Sequence, residues 1–396
     1  MAAPDRVVRD RRARDRCLPD TAAPDRSGER TKPLVVVVGG MNLDIQAISR
    51  GKFLRGDSNP GSVSMLPGGV GRNIAENCAR LGLEVELITA LGDDHAADAL
   101  RGSCSELGIG LSGSLAFDST PSPHYICILG QDGSLEGAVA AMDALERLLP
   151  ECLESSIELL DSAAAIVVDT NIPSDSIGWL ATRYGRRGSP NAASGAGQGC
   201  GAGQNGGAVR ECGAIREGGR SGGADPTREW RHPLLFLDPV SCAKAVRAEP
   251  YIGAFDCAKP NRSEAGVLAA RVARFDLRAE EPELDILARI LHGRGLGELF
   301  ISLGGSGFFY SDGHLRGRAL APRSGFPPLL SVSGAGDAAC AALVWASLAG
   351  FDLPGKAALA LSAAALCASS SRTVHPDLTA DALCHLSKGV IHESVS

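Results

Sequence analysis

The segment Ser333-Gly334-Ala335-Gly336-Asp337-Ala338-Ala339 runs directly into a long apolar stretch with the composition of a buried helix. Small residues at a helix start let several backbone N–H groups converge on one point, and the helix dipole adds positive potential there. Such an anion hole suits the charge on a phosphoryl group in flight. An acid in the first turn, Asp337, can take a proton from a hydroxyl held beside it. The same residues also read as a plain turn closed by a helix-capping Asp. Short glycine motifs are common enough to leave both readings open.

A second glycine cluster, Pro67-Gly68-Gly69-Val70-Gly71-Arg72-Asn73, also runs into a helical pattern. It reads either as a tight turn or as a place where a ligand touches backbone while Asn73 contacts a hydroxyl. It is no dinucleotide fingerprint, because G-G-x-G-x-N differs from G-x-G-x-x-G and does not directly follow the first buried strand. Gly39-Gly40-Met41-Asn42-Leu43-Asp44 does follow that strand, placing Asn42 and Asp44 where open α/β sheets bind ligands. Asp44 there can accept hydrogen bonds from vicinal hydroxyls, or be a solvated turn residue. Asn261-Arg262-Ser263-Glu264 has the spacing of a capping box, and Glu264 is also a candidate outer-shell holder of Mg²⁺ near nucleotide phosphates.

The elements that must position these residues follow an alternating rhythm. Leu34–Val38, a β-branched run ended by Gly39-Gly40, predicts a strand buried on both faces. Further strands are predicted at Val85–Ala90, Ala163–Asp169, Leu234–Asp238, Phe255–Lys259 and Leu299–Leu303. Helices are predicted at Arg72–Leu81, Ala96–Leu107, Asp175–Tyr184 and Ala338–Ala349. This is an α/β fold with a mostly parallel central sheet flanked by helices. Leu43–Leu66 and Pro121–Leu135, punctuated by Gly and Pro, predict a small antiparallel piece laid over one end of that sheet. Gly185–Arg231, dominated by Gly with Ala, Ser, Gln and Arg, buries too little apolar surface to offset its ordering entropy and is expected to be a disordered insertion. Residues 1–32 are expected to be a disordered extension, leaving one folded domain over 33–392.

Composition narrows the function classes. The 396 residues carry 39 Lys+Arg against 46 Asp+Glu, a net charge of −7, and only 4% aromatics, which argues against nucleic acid as a partner. No apolar run reaches the roughly 20 residues of a membrane helix. The first 32 residues lack the apolar core of a secretory signal, although Arg-rich sequence broken by Asp5, Asp10, Asp15, Asp20 and Asp25 leaves an organellar address open. Twelve Cys and eight His show no C-x-x-C or H-E-x-x-H spacing, so the thiols read as reduced, in a cytoplasmic setting.

Taken in order, these motifs resemble the ribokinase-like (PfkB) carbohydrate kinase family from about Leu34 to Leu386. The resemblance rests on Gly68–Asn73 and Gly334–Asp337. Within the family, Asp57-Ser58-Asn59-Pro60-Gly61, the Arg72–Asn77 helix start, Asp238-Pro239-Val240-Ser241 with Lys244, and Lys259-Pro260-Asn261-Arg262-Ser263-Glu264 are similar to pseudouridine kinases. The resemblance implies ATP-dependent phosphorylation of a ribosyl 5′-hydroxyl, that of pseudouridine, with ribose, adenosine or a fructose derivative as alternative acceptors. It implies Asp337 as base, with the N–H groups of Gly334, Ala335, Gly336 and Asp337 holding the phosphoryl. Asn42, Asp44, Asn59, Gly69, Gly71, Asn73 and Asn171 would serve the acceptor. Asn261, Glu264, Ser302, Gly304 and Gly307 would serve the nucleotide, with Glu264 reaching Mg²⁺ through water. The irregular segments at 43–66 and 121–135 match the family's β-lid, whose edges often pair into homodimers. Two positions depart from the pattern. Ser331 stands where many relatives have an Asp associated with a monovalent cation, so potassium activation is not carried over. Ala141 stands where pseudouridine kinases often have an acid.

Overall fold

A computed structural model describes residues 23–24, 30–118, 120–186, 232–270, 283–322 and 324–394. Most of the N-terminal extension and nearly all of the glycine-rich insertion lie outside the described residues. Nine strands form the main sheet, in the order Ile391–Ser394, Arg316–Leu320, Phe308–Ser311, Glu298–Ser302, Cys257–Ala258, Leu234–Asp238, Ala165–Asp169, Leu34–Val38, Glu84–Ile88. The last six in that order are parallel and the first three add on antiparallel. The α/β architecture with a mostly parallel sheet is thus the one the alternating pattern requires.

The valine run shows how sequence becomes two layers. Successive strand residues point to opposite faces. Val35 and Val37 join a core with Ile74, Leu343 and Leu359, while Val36 and Val38 join a second core with Ile177, Leu180 and Leu287. All four valines are fully buried. Helices Val70–Arg80, His95–Glu106, Ala335–Leu348 and Leu353–Ala368 cover the first face; Ser174–Tyr184, Arg262–Ala269 and Leu284–Gly293 cover the second.

From Leu34–Val38 the chain first adds Glu84–Ile88 on one side, then returns to add Ala165–Asp169 on the other. Strand order therefore reverses beside Gly39, which opens a crevice at the C-terminal ends of these strands.

Several expected boundaries move. The predicted strand at Val85–Ala90 breaks into Glu84–Ile88 and Ala90–Gly92, which pair with different partners. Only Cys257–Ala258 of the predicted Phe255–Lys259 strand is laddered, because Glu249–Ala254 forms a 3₁₀ turn running up to Phe255. The lid is a four-stranded sheet of Asn42–Ser49, Gly61–Gly68, His124–Leu129 and Leu135–Ala141. It reaches Ala141 instead of stopping at Leu135, since Gly130–Ser134 is the turn between its last two strands. It is also mixed, not antiparallel: Asn42–Ser49 runs parallel to His124–Leu129, because two helices intervene before the chain re-enters the lid.

Candidate active site

The helix Ala335–Leu348 begins at Gly334, whose φ of 75° lies in the left-handed region. A Cβ there would stand 1.7 Å from the Thr373 carbonyl oxygen, so only glycine fits. No side chain caps this helix start. Ala335 N–H makes only a long 3.4 Å bond to Val332 O. The other first-turn amides lack intrahelical acceptors by geometry, an arrangement that suits an anion.

Asp337 does not cap its own helix. Its Oδ2 accepts a 2.9 Å hydrogen bond from Asn73 Nδ2, 264 residues away in sequence. Asn73 lies in the first turn of Val70–Arg80, and its backbone oxygen accepts from Asn77 Nδ2. Burial raises the Asp337 carboxyl to a pKa of about 7; nearby Asp238 and Asp169 push the same way, against Asn73 and the Lys259 ammonium. A carboxylate so held can take a proton from a hydroxyl near neutral pH.

Residues expected on the acceptor side gather at the strand reversal. Asp169, fully buried at the end of its strand, accepts from Gly40 N and Asn171 N, each at 2.8 Å. Asn171 packs against Gly40 and its Oδ1 accepts from the Lys244 ammonium. Asn42 Nδ2 donates to Asp44 Oδ1 at 2.6 Å. Asp44 lies over Gly68, where a Cβ would be 2.0 Å from its Oδ2. Burial raises the Asp44 pKa, partly offset by Asn42 and Arg72. Gly69 and Gly71 have a backbone reason to be glycine: a Cβ at either would meet the Gly39–Gly40 turn within 3 Å. They let the helix start dock on that turn and so bring Asn73 to Asp337.

Asn59 is not brought to this group. It lies in the turn joining Asn42–Ser49 to Gly61–Gly68, at the end of that hairpin away from the Asn42–Gly68 pair. Its amide is spent locally, accepting from Leu54 N and donating to the Leu54 and Asp57 carbonyls.

Of the residues expected to serve the nucleotide, Asn261 and Glu264 form a complete capping box at the start of Arg262–Ala269. Asn261 bridges Ser302 in parallel register, and Ser302 N donates to Pro260 O at 2.9 Å. Gly304 and Gly307, both at positive φ, shape the turn that follows. A Cβ on Gly307 would meet the Ala319 carbonyl at 2.0 Å. Ser331, in the cation-associated position, donates its N–H to Ala368 O, as does Leu330.

Three charged residues without an expected role also converge: Asp169, Asp238 and Lys259. Each ends or directly follows a buried parallel strand, and that signal was readable. A charge closing an apolar strand run is costly unless it is used.

The sequence matches the pfkB family carbohydrate kinase pattern over residues 32–182 and 230–380, more than half of the chain. The chain belongs to that family. It is 27% identical over 355 residues to the pseudouridine kinase of Escherichia coli, covering 88% of this chain and 95% of that one. It is also 25% identical over 346 residues to an uncharacterised sugar kinase of the same organism, covering 87% and 81%. In fold it is similar to Arabidopsis thaliana ribokinase solved with ribose and ATP, with a TM-score of 0.65 and 17% identity over 90% of this chain and 99% of that one. As a pfkB kinase, the chain is an ATP-dependent phosphotransferase acting on a hydroxyl acceptor. Among the described residues, no helix is long and apolar enough to cross a membrane.

Proposed function

We propose that the chain transfers the γ-phosphoryl of ATP to the 5′-hydroxyl of pseudouridine, giving pseudouridine 5′-phosphate. The observation that carries the chemistry is the Asp337–Asn73 pair at an uncapped helix start. Asp337 takes the hydroxyl proton while the N–H groups of Gly334, Ala335, Gly336 and Asp337 hold the transferring phosphoryl. Positioning and charge neutralisation are what such a loose transition state chiefly needs. Asp44, Asn42 and Asn171 orient the sugar, and the lid excludes water, the competing acceptor. The choice of pseudouridine rests on the likeness to the Escherichia coli enzyme over nearly the whole of both chains.

Asn261, Ser302 and the Gly304–Gly307 turn would receive the nucleotide. Among the described residues no three His, Cys, Asp or Glu side chains group to hold a metal ion. That donor set fits a Mg²⁺ arriving on the ATP phosphates and met by Glu264 through water, since both Glu264 oxygens already accept from Asn261. Bound there, the ion would neutralise phosphate charge.

The likeness to an uncharacterised sugar kinase supports a second reading, a kinase for another sugar or nucleoside. A coupled ADP-release assay with Mg-ATP against pseudouridine, uridine, adenosine, ribose and fructose separates them. Turnover with pseudouridine alone is the expected result. A preference for another acceptor overturns the substrate while leaving Asp337 in place, and silence with all five favours a binding role.

The homodimer through the lid that the resemblance implies is also proposed, because the lid has a surface that suits it. Ile45 is cross-strand neighbour to Met65 and Ile126, and Ile126 to Val139, all on the face opposite Asp44. Val63, Met65 and Val139 are each at least 60% exposed, an apolar patch that a second copy would cover.

A further inference from the structure

Asp238 and Lys259 stand at the C-terminal ends of adjacent parallel strands, paired in register through Leu237 and Ala258. Their side chains meet at 3.2 Å, and both are almost fully buried. A buried ion pair rarely adds net stability over apolar residues, so its presence here asks for another reason. The turn after Asp238 sharpens that question. Val240 is the only non-glycine at positive φ among the described residues, at 62°, an unfavourable state for a β-branched side chain. Its N–H donates to Asp238 Oδ1 at 2.9 Å, while Thr170 Oγ1 fixes the Pro239 carbonyl from the neighbouring strand. Local strain is thus spent on aiming one carboxylate at one ammonium.

The ammonium has a second neighbour. A Cβ on Gly336 would lie 3.2 Å from Lys259 Nζ, so the charge sits against the middle of the anion hole. Lys259 also lies between the two halves of the crevice. Asp169 ends and Asn171 follows the strand Ala165–Asp169 on one side of it, and Asn261, two residues on, bridges Ser302 on the other.

We propose that Lys259 is a catalytic cation of the phosphoryl transfer, its ammonium facing the phosphoryl group as it passes from ATP to the acceptor, with Asp238 as the positioning residue that holds it there. This rests on the kinase reading above and assigns the charge that reading lacks. In the step, the bond between the γ-phosphorus and the β,γ-bridging oxygen breaks, its electron pair leaving on ADP. The acceptor oxygen bonds to phosphorus and its proton goes to Asp337. Lys259 keeps its proton throughout: burial alone would lower its pKa, but Asp238, Cys340, Glu264 and Asp337 around it raise it.

The test uses the full chain with Lys259→Met, Asp238→Asn and the double variant, which removes both buried charges together and so protects folding. With the acceptor the wild type uses, kcat of Lys259→Met and of the double variant should fall roughly 10²–10³-fold, with acceptor KM nearly unchanged. The groups facing Asp337 are Asp238, Asp169, Lys259, the neutral Asn73 and the Cys367 thiol. Losing the Lys259 charge should therefore move the acid limb of the kcat/KM profile to higher pH, and losing the Asp238 charge should move it lower. The two charges shift Asp337 whatever their role, so what marks a merely structural pair is a lower melting temperature with kcat above the acid limb unchanged. A second readout needs no acceptor: the tighter binding of ADP–aluminium fluoride with Mg²⁺ over Mg-ADP should shrink at least tenfold in Lys259→Met. If a folded double variant keeps kcat within tenfold of wild type, or the analogue keeps its advantage, Lys259 has no catalytic role. Wild-type silence on every acceptor would sink the kinase reading alone, and the analogue would still decide Lys259.

Discussion

Two helix starts in this molecule each carry an acid in the first turn, and they use it in opposite ways. At Arg262–Ala269, Glu264 accepts from the Asn261 backbone N–H and side-chain amide while Asn261 accepts from Glu264 N. Every partner is within three residues, and the box satisfies the helix's own orphan donors. At Ala335–Leu348 no side chain caps, and Asp337 bonds to Asn73 from a different helix. One start closes itself with its own side chains; the other has no side-chain cap, and its acid is held from another helix. Glu264's bonds serve its own helix, whereas Asp337's partner ties together two helices far apart in the chain.

The largest test of this contrast is Asp337→Asn. Turnover should fall about 10³-fold or more, the scale of a lost general base together with its charge, while nucleoside and Mg-ATP binding persist. The same change should stabilise the fold. The folded-state pKa of Asp337 is raised from 3.8 to about 7, so the folded protein holds this proton more tightly than the unfolded chain does. Its favourable contribution is complete below pH 3.8 and lost as pH rises through 7. Asp337→Asn should therefore melt higher than wild type at pH 8, the gap closing toward pH 4. If activity stays within tenfold of wild type, the two acids are alike and the contrast fails.

The next effect is on pH dependence. A base must be deprotonated to act, so kcat/KM should fall about tenfold per unit below pH 7 and level off above it. A plateau reaching unbroken down to pH 5 would mean that Asp337 is not the titrating base.

Smaller effects belong to Glu264. Glu264→Ala breaks the box and should cost about 1 kcal/mol of stability, read by denaturant unfolding. Glu264→Gln can still accept from the Asn261 backbone N–H, since Gln serves in this motif, but gives up the bond from Asn261 Nδ2, so it should cost less stability than Glu264→Ala. A several-fold rise in the KM for Mg-ATP in Glu264→Gln, beyond what its stability loss accounts for on the scale set by Glu264→Ala, would show that the carboxylate charge serves the nucleotide as well as the helix. No rise would make Glu264 a cap alone.

Much of this was legible in the chain because its cues are local. The valine run at 35–38, the apolar strands ending in Asp169 and Asp238, and the glycines before both key helices are short-range patterns. The antiparallel extension was not legible. Arg316–Leu320 is a short strand with two arginines among its five residues, and Phe308–Ser311 is only four residues long, so neither carries a clear period. In the site, the glycine motifs and Asp337 were readable, but which acid bonds to which amide depends on packing across 264 residues. Asn59 shows the converse. Its motif pointed to a ligand, yet its amide closes its own turn.

The lid extends the contrast to the surface. One face carries Asp44 and Asn42 beside Leu66, and the other repeats apolar residues in cross-strand register, with Val63, Met65 and Val139 exposed among the described residues. A patch of that kind, lying on a sheet with exposed edges, favours association. The double change Val63→Lys with Met65→Lys should convert a dimer to a monomer by light scattering while leaving the main sheet's melting behaviour nearly intact. Turnover should drop only several-fold, through acceptor KM, because in the proposed function the lid orients the acceptor and supplies neither the base nor a phosphoryl contact. A wild-type chain already monomeric at micromolar concentration would remove the dimer. A loss as deep as that of Asp337→Asn would show instead that the lid belongs to the catalytic group and that its two faces are not independent.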